Sequence, residues 1–145
     1  MNERRRRPAP WRGQWPVIGV VAVGGGIGAT ARYGAALLWP TARGAFPWTT
    51  LTVNAVGCAL MGLLMVVITE ARPSHHLVRP FLGTGILGGF TTFSTYAVDI
   101  QRLVEARRPA AAMAYLAVTV LVALAAVWAA VAGTRALLVL RRRTV

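Results

Sequence analysis

Lysine is missing from this chain. All sixteen basic residues are arginine, and only four acidic residues oppose them, for a net charge of +12. Taken alone, that excess fits a nucleic-acid partner. The arginines, however, gather at the termini and between apolar runs, with no aromatic interleaving and no basic groove pattern, which is how charge flanks membrane spans. Cysteine is nearly missing too. Cys58 is the only one, so an intrachain disulfide and any multi-cysteine metal site are excluded. Its apolar setting marks it as a small packing residue. Acids are as informative by position as by number. Glu3 lies in the N-terminal tail, Glu70 ends an apolar run, Asp99 falls late in another and Glu105 lies in a loop. None stands in the middle of a run, where a proton-coupled transporter buries its acid. Paired carboxylates, a Ser/His/Asp arrangement and metal-ligand spacing are all lacking. His75 and His76 are adjacent in a loop and cannot share a helix face. Nothing in this inventory reads as an enzyme.

Apolar residues are what the chain has in plenty. They make up 56% of its 145 residues, with a mean hydropathy of +0.56, above the soluble norm. Four segments carry them, from about Pro16 to Trp39, Trp48 to Thr69, Leu77 to Leu103 and Ala110 to Thr134. Each is near or above the roughly 20 residues that cross a bilayer as a helix. A soluble bundle needs a polar face on every helix, and the second and fourth segments have none to offer. The short connections hold turn signals: Pro40 to Pro47, Arg72-Pro73-Ser74 and Arg107-Arg108-Pro109. Trp15, Trp39 and Trp48 fall near segment ends, where an aromatic belt places them. The expected organisation is a basic, disordered tail over 1–15, a four-span all-α membrane domain over 16–140 and a basic tail over 141–145. Arg4 to Arg7 before an apolar run mimic a signal peptide, but no small-x-small cleavage site precedes the next span, so a retained first span is expected. Four spans put both tails and the 72–79 loop on one side. That side holds Arg4, Arg5, Arg6, Arg7, Arg12, Arg72, Arg79, Arg141, Arg142 and Arg143, ten in all, against Arg43, Arg107, Arg108 and at most Arg102 opposite. The bias predicts both termini in the cytoplasm.

The third segment contains the stretch around which the others are organised, Phe81 to Tyr96. Gly88-Gly89 is followed by Thr91-Thr92 and Ser94-Thr95, whose hydroxyls can bond backbone. A helix broken at Gly88 to Thr92 is expected. Freed backbone groups there must be buried in protein or line a polar cavity, and interrupted spans often sit at ion sites.

Other positions admit two readings each. Gly24-Gly25-Gly26-Ile27-Gly28-Ala29 can be forced onto a dinucleotide fingerprint but lacks the preceding strand. Gly24 with Gly28, and Gly85 with Gly89, also fit GxxxG helix packing. Arg32, late in the first span, either snorkels to the interface or draws anions into a vestibule. Asn54, in an apolar run, is either glue between helices or an N–H donor to a permeating anion. Tyr115 and Thr119 share a helix face, as a polar track or as interhelix bonds, and Ala123 continues the face without a polar group. Phe93 and Tyr96 share another, as core or as ring edges of positive potential turned toward an anion.

In order along the chain, Gly28-Ala29-Thr30-Ala31-Arg32-Tyr33, Thr52-Val53-Asn54-Ala55-Val56-Gly57, Gly88-Gly89-Phe90-Thr91-Thr92-Phe93-Ser94-Thr95-Tyr96, and Tyr115 with Thr119 resemble the CrcB/Fluc family of fluoride channels. The resemblance covers about residues 18 to 134. It implies an antiparallel two-subunit assembly with two narrow pores along the interface. It also implies a central structural sodium ion, not transported, held by the backbone carbonyls of Gly88 and Thr91. The implied pore residues are Asn54, Phe93, Tyr96, Tyr115 and Thr119, with Arg32 near the vestibule. Two positions depart from the family pattern. Tyr96 stands where phenylalanine is usual, and Ala123 where a hydroxyl is frequent. Subunits that insert both ways need balanced flanking charge. Ten arginines against three or four therefore predict a fixed orientation and an inverted partner encoded separately, a heterodimer. The expected function is passive, potential-driven fluoride efflux across the cell membrane. The rivals are a small multidrug or metabolite exporter, which would need a buried carboxylate in the first span, and a non-conducting partner subunit.

Overall fold

The computed structural model describes residues 13–71 and 75–143. The expected tail over 1–15, apart from Gly13, Gln14 and Trp15, and the Arg72-Pro73-Ser74 turn lie outside the described residues. Every regular element among the described residues is helical. Helix α1, Trp15–Leu38, opens with a proline in its first turn, where the missing N–H costs nothing. It stops at Trp39, whose N–H returns to the Ala35 carbonyl at 3.0 Å, ahead of Pro40. Helix α2, Trp48–Val66, starts behind Pro47 and widens into a π-helical turn, Val67–Ala71. The third apolar segment divides into a π-helical stretch, Arg79–Leu87, one α-turn, α3 (Gly88–Phe90), and helix α4 (Phe93–Glu105). Helix α5 is continuous over Pro109–Arg143, nine residues past the expected end of the fourth span. At 1.5 Å per residue its 35 residues reach about 52 Å, well beyond a hydrocarbon core.

Among the described residues, three helices are long and apolar enough to cross a membrane: Trp15–Leu38, Trp48–Glu70 and Pro109–Leu140. Tryptophans mark three of these ends as expected, with Trp15 opening α1, Trp39 closing it and Trp48 opening α2, whereas Trp128 lies inside α5.

α2 packs along α5, and α1 along Arg79–Leu87 and α3. The α1 contact is backbone on backbone. A Cβ on Gly24 would stand 2.7 Å from the Phe81 carbonyl oxygen, one on Gly28 would overlap the Ile86 carbonyl, and one on Gly89 would overlap the Gly25 carbonyl. Both GxxxG pairs are therefore packing surfaces, and the dinucleotide reading of Gly24–Ala29 fails because that run is mid-helix. Helix α4 ends in a left-handed turn. Arg107 has φ 56°, and the Arg107 and Arg108 N–H groups return to the Val104 and Leu103 carbonyls, each at 2.9 Å. That is the Schellman pattern, and Pro109 then starts α5. Arg108 also donates to the Gly44 carbonyl, joining the two loops at this end of the molecule.

Candidate functional site

The interruption in the third segment sits later than the glycine pair implies. Gly88–Phe90 are helical, with Gly88 at φ −66° and ψ −35°. The chain leaves the helix at Thr91 (ψ 154°) and Thr92 (φ −148°, ψ 125°). The expected break over Gly88 to Thr92 is thus corrected to its last two residues. The glycines serve close packing, and the threonines, with one asparagine, make the break. Asn54 on α2 binds Thr92 at both ends of its backbone. The Thr92 N–H donates to Asn54 Oδ1 at 2.8 Å, and Asn54 Nδ2 donates to the Thr92 carbonyl at 3.0 Å. The Thr92 hydroxyl then accepts the Thr95 N–H at 3.0 Å, an N-cap that restarts the helix as α4. Room for this clamp comes from Gly57, one turn along α2, where a Cβ would overlap the Thr91 methyl.

These bonds free two particular carbonyls. In an unbroken α-helix the Thr92 N–H would close on the Gly88 carbonyl and the Thr95 N–H on the Thr91 carbonyl. Both N–H groups are held elsewhere, by Asn54 and by the Thr92 hydroxyl. Between them, the Gly89 carbonyl receives Arg32 Nε at 3.3 Å, and Arg32 Nη1 reaches Thr95 Oγ1 at 3.4 Å. Arg32 therefore turns toward the break instead of snorkelling along its own helix. No cluster of three His, Cys, Asp or Glu occurs among the described residues. A cation held here would rely on oxygens of the backbone, and Gly88 and Thr91 supply two with no helical partner.

The aromatic pair divides. Phe93 is 80% exposed. Tyr96, with its ring 5.7 Å from that of Phe93, is only 8% exposed. Its hydroxyl donates to the Leu116 carbonyl of α5 at 3.1 Å, and its ring lies 5.4 Å from that of Tyr115. Tyr115 is fully buried, with the Phe46 ring edge-on at 5.3 Å. Tyr115 and Thr119 share the α5 face as their spacing predicts. Among the described residues their hydroxyls are the two buried side-chain polar atoms that complete no hydrogen bond of good length and angle, although they lie near each other and Tyr115 lies near Thr50. A buried hydroxyl without a well-formed bond is costly, so this pair leaves donor capacity that a bound group could take up.

Sequence reasoning missed two members of this site. Asp99, 6% exposed, accepts the Thr50 hydroxyl at 2.7 Å, and both residues neighbour Tyr115. The signal was present. Tyr96, Asp99 and Leu103 are the buried residues of α4, spaced three and four apart on one face, and Thr50 precedes Asn54 by one turn on α2. Ala123 is half-buried and adds no polar group to the track.

A family model described as CrcB-like protein, Camphor Resistance (CrcB), matches residues 19–131, and the chain belongs to that family. It is 69% identical over 114 residues to a protein of Streptomyces avermitilis named fluoride-specific ion channel FluC 2, covering 79% of this chain and 72% of that one. It is 63% identical over 128 residues to fluoride-specific ion channel FluC 1 of Streptomyces coelicolor, covering 88% and 83%. A second Streptomyces avermitilis protein, fluoride-specific ion channel FluC 3, is 51% identical over 87 residues, covering 60% and 43%. With its long apolar helices, the chain is a multi-pass membrane protein.

Proposed function

We propose that this chain is a subunit of a fluoride-selective ion channel that lowers cytoplasmic fluoride by passive efflux. One observation carries the reading beyond family membership: the buried hydroxyls of Tyr115 and Thr119, which complete no well-formed hydrogen bond among the described residues, on a face reached by Thr50 and Asp99. Donors without a well-formed bond suit a small anion that has shed water. In acid surroundings fluoride enters cells as the neutral acid and ionises inside. An open path for the anion then lets the membrane potential expel it, by about 2.3 kcal/mol per charge per 100 mV.

In this reading the broken segment and α4 form the third of four spans, and both termini face the cytoplasm of a plasma-membrane protein. The subunit pairs antiparallel with another, and two pores run along their interface. The exposure of Phe93 supports a place for that ring in the interface, lining a pore. The neighbouring Tyr96 presents ring atoms only, since its hydroxyl is tied to α5. Asn54 chiefly shapes the break, and one Nδ2 hydrogen remains for an anion. Arg32 supplies positive potential beside it. The carbonyls of Gly88 and Thr91, deprived of their helical N–H partners, fit a structural sodium ion, since hard cations prefer oxygen. Such an ion would lock the break at the centre of the dimer. The arginine bias favours a heterodimer with a separately encoded, inverted partner. The two differently numbered channels of Streptomyces avermitilis support paired subunits in related bacteria.

The exporter alternative is not favoured, because α1 has no carboxylate. A non-conducting partner subunit stays in view for one reason: Tyr96 and Ala123 alter one pore face. The test is fluoride efflux from liposomes holding this chain, alone and with a candidate paralogue. Efflux is expected in at least the paired sample, and Phe93→Ile is expected to abolish it in the pore that Phe93 lines. No efflux from either sample would defeat the channel reading. Efflux that Phe93→Ile leaves intact would remove that residue from the pore.

A further inference from the structure

Where the α1–α2 loop meets the last turns of α4, a cavity of about 640 Å³ opens. Its charged lining comes from Arg43, Asp99, Arg102 and Glu105. Asp99 belongs to two places at once. It lines this cavity, and through its bond with Thr50 it borders Tyr115 at the head of the α5 track. On the channel reading, an ion passing between cavity and track would meet a buried carboxylate. That is an obstacle to an anion, because like charges repel strongly where water is scarce.

The carboxylate has two partners. Thr50 donates to Oδ2 at 2.7 Å, and Arg102 Nη1 lies 3.6 Å from Oδ1. Arg102 is one helical turn from Asp99 on α4, with its side chain 69% exposed at the cavity rim. Of the other charged groups at this end, Arg43 shares the cavity lining, and Glu105 and Arg108 are engaged. Glu105 accepts Gln101 Nε2 at 2.8 Å, and Arg108 donates to the Gly44 carbonyl. Among the described residues, Arg102 alone makes ion-pair contact with Asp99. With Arg102 69% exposed and the carboxylate 7% exposed, the pair adds little net stability, but without the arginine the buried charge would be left uncompensated. Its position gives it another use.

We propose that Arg102 is a positioning residue for anion passage: it holds Asp99 against Thr50 and offsets the carboxylate where the cavity meets the Tyr115–Thr119 track. The inference rests on the channel reading given above. It requires that Arg102 act through Asp99 and not merely as one more cation at a basic rim. A double-mutant cycle separates the two. Initial fluoride efflux would be measured from liposomes holding the full chain, with its paralogue if pairing is needed, for wild type, R102Q, R102K, D99N and D99N/R102Q. We expect R102Q to lower efflux about tenfold and R102K to stay within about threefold of wild type, because the charge is kept. We expect D99N to conduct, and adding R102Q to D99N to change efflux by less than about twofold, because a neutral side chain needs no offset. Equal efflux from R102Q and wild type would overturn the inference. So would a loss as large in the D99N background as in wild type, or a D99N chain that does not conduct. If wild type shows no efflux in any sample, the channel reading itself fails and this inference falls with it.

Discussion

Two polar regions of this protein, one part-buried at the break and one buried on α5, treat their hydrogen-bonding groups in opposite ways. At the break, the groups that interrupt the helix are matched. Asn54 holds both backbone groups of Thr92, the Thr92 hydroxyl caps α4, and the Thr91 hydroxyl and N–H both reach the Leu87 carbonyl at 2.9 Å. Along α5, the Tyr115 and Thr119 hydroxyls are buried and near each other, and among the described residues neither completes a well-formed hydrogen bond. Both regions cost desolvation. Only the first recovers it within the protein. A satisfied polar cluster in an apolar setting fixes geometry, whereas an unsatisfied one is kept for what it binds. The break is thus chiefly scaffold, with two carbonyls left over, and the α5 face is chiefly site.

If that division is right, the largest loss of stability comes from the matched region. Asn54→Leu fills similar volume but strands the Thr92 N–H and carbonyl in an apolar setting. At about 1–3 kcal/mol for each unsatisfied group, the expected destabilisation is about 4 kcal/mol. It should show as a lowered thermal unfolding midpoint in detergent and as loss of fluoride efflux. An unfolding midpoint equal to that of wild type would mean that the break keeps its shape without Asn54.

What could be read from the sequence follows the same division. Helix existence was legible, because runs of apolar residues bounded by proline and tryptophan leave few alternatives. The break was legible in kind and misplaced in detail. Gly88-Gly89 looks like a hinge because glycine weakens helices, yet its role is contact with α1. The residue that does cut the helix, Asn54, lies 38 positions away from its partner, and no local pattern shows that bond. Asp99 was set aside because it falls late in its segment. Its burial depends on the break, which starts α4 afresh at Phe93 and turns Tyr96, Asp99 and Leu103 inward together. The Thr50–Asp99 bond spans 49 positions and belongs to packing alone.

The unmatched region gives the reverse outcome. Tyr115→Phe and Thr119→Val each remove a buried hydroxyl without a well-formed bond and keep the shape. Stability should stay level or rise by up to about 1 kcal/mol, because a desolvation penalty disappears. Fluoride efflux should fall, by about tenfold or more for the double substitution, as donors in a dehydrated path are lost. Unfolding midpoint and efflux measured on one preparation check both halves. A variant that loses stability and efflux together would place these hydroxyls with the scaffold and erase the contrast with the break.

The smallest effect lies outside both regions and tests whether the contrast depends on the ends of α4 being fixed. Arg107 is the non-glycine residue with positive φ among the described residues, and a side chain in that left-handed state costs about 1 kcal/mol. Arg107→Gly keeps the two returning N–H bonds of the Schellman turn and relieves the strain. Stability should rise by about 0.5–1 kcal/mol with efflux unchanged, since Arg107 touches neither Asp99 nor the α5 face. The counter-effect is greater freedom of the unfolded chain, which keeps the gain small. A rise of the unfolding midpoint with full efflux would show that the turn serves only to aim α4 into α5. A fall in efflux would mean that the turn sets the depth of Asp99 beneath the cavity, and the boundary between scaffold and site would then run through α4 itself.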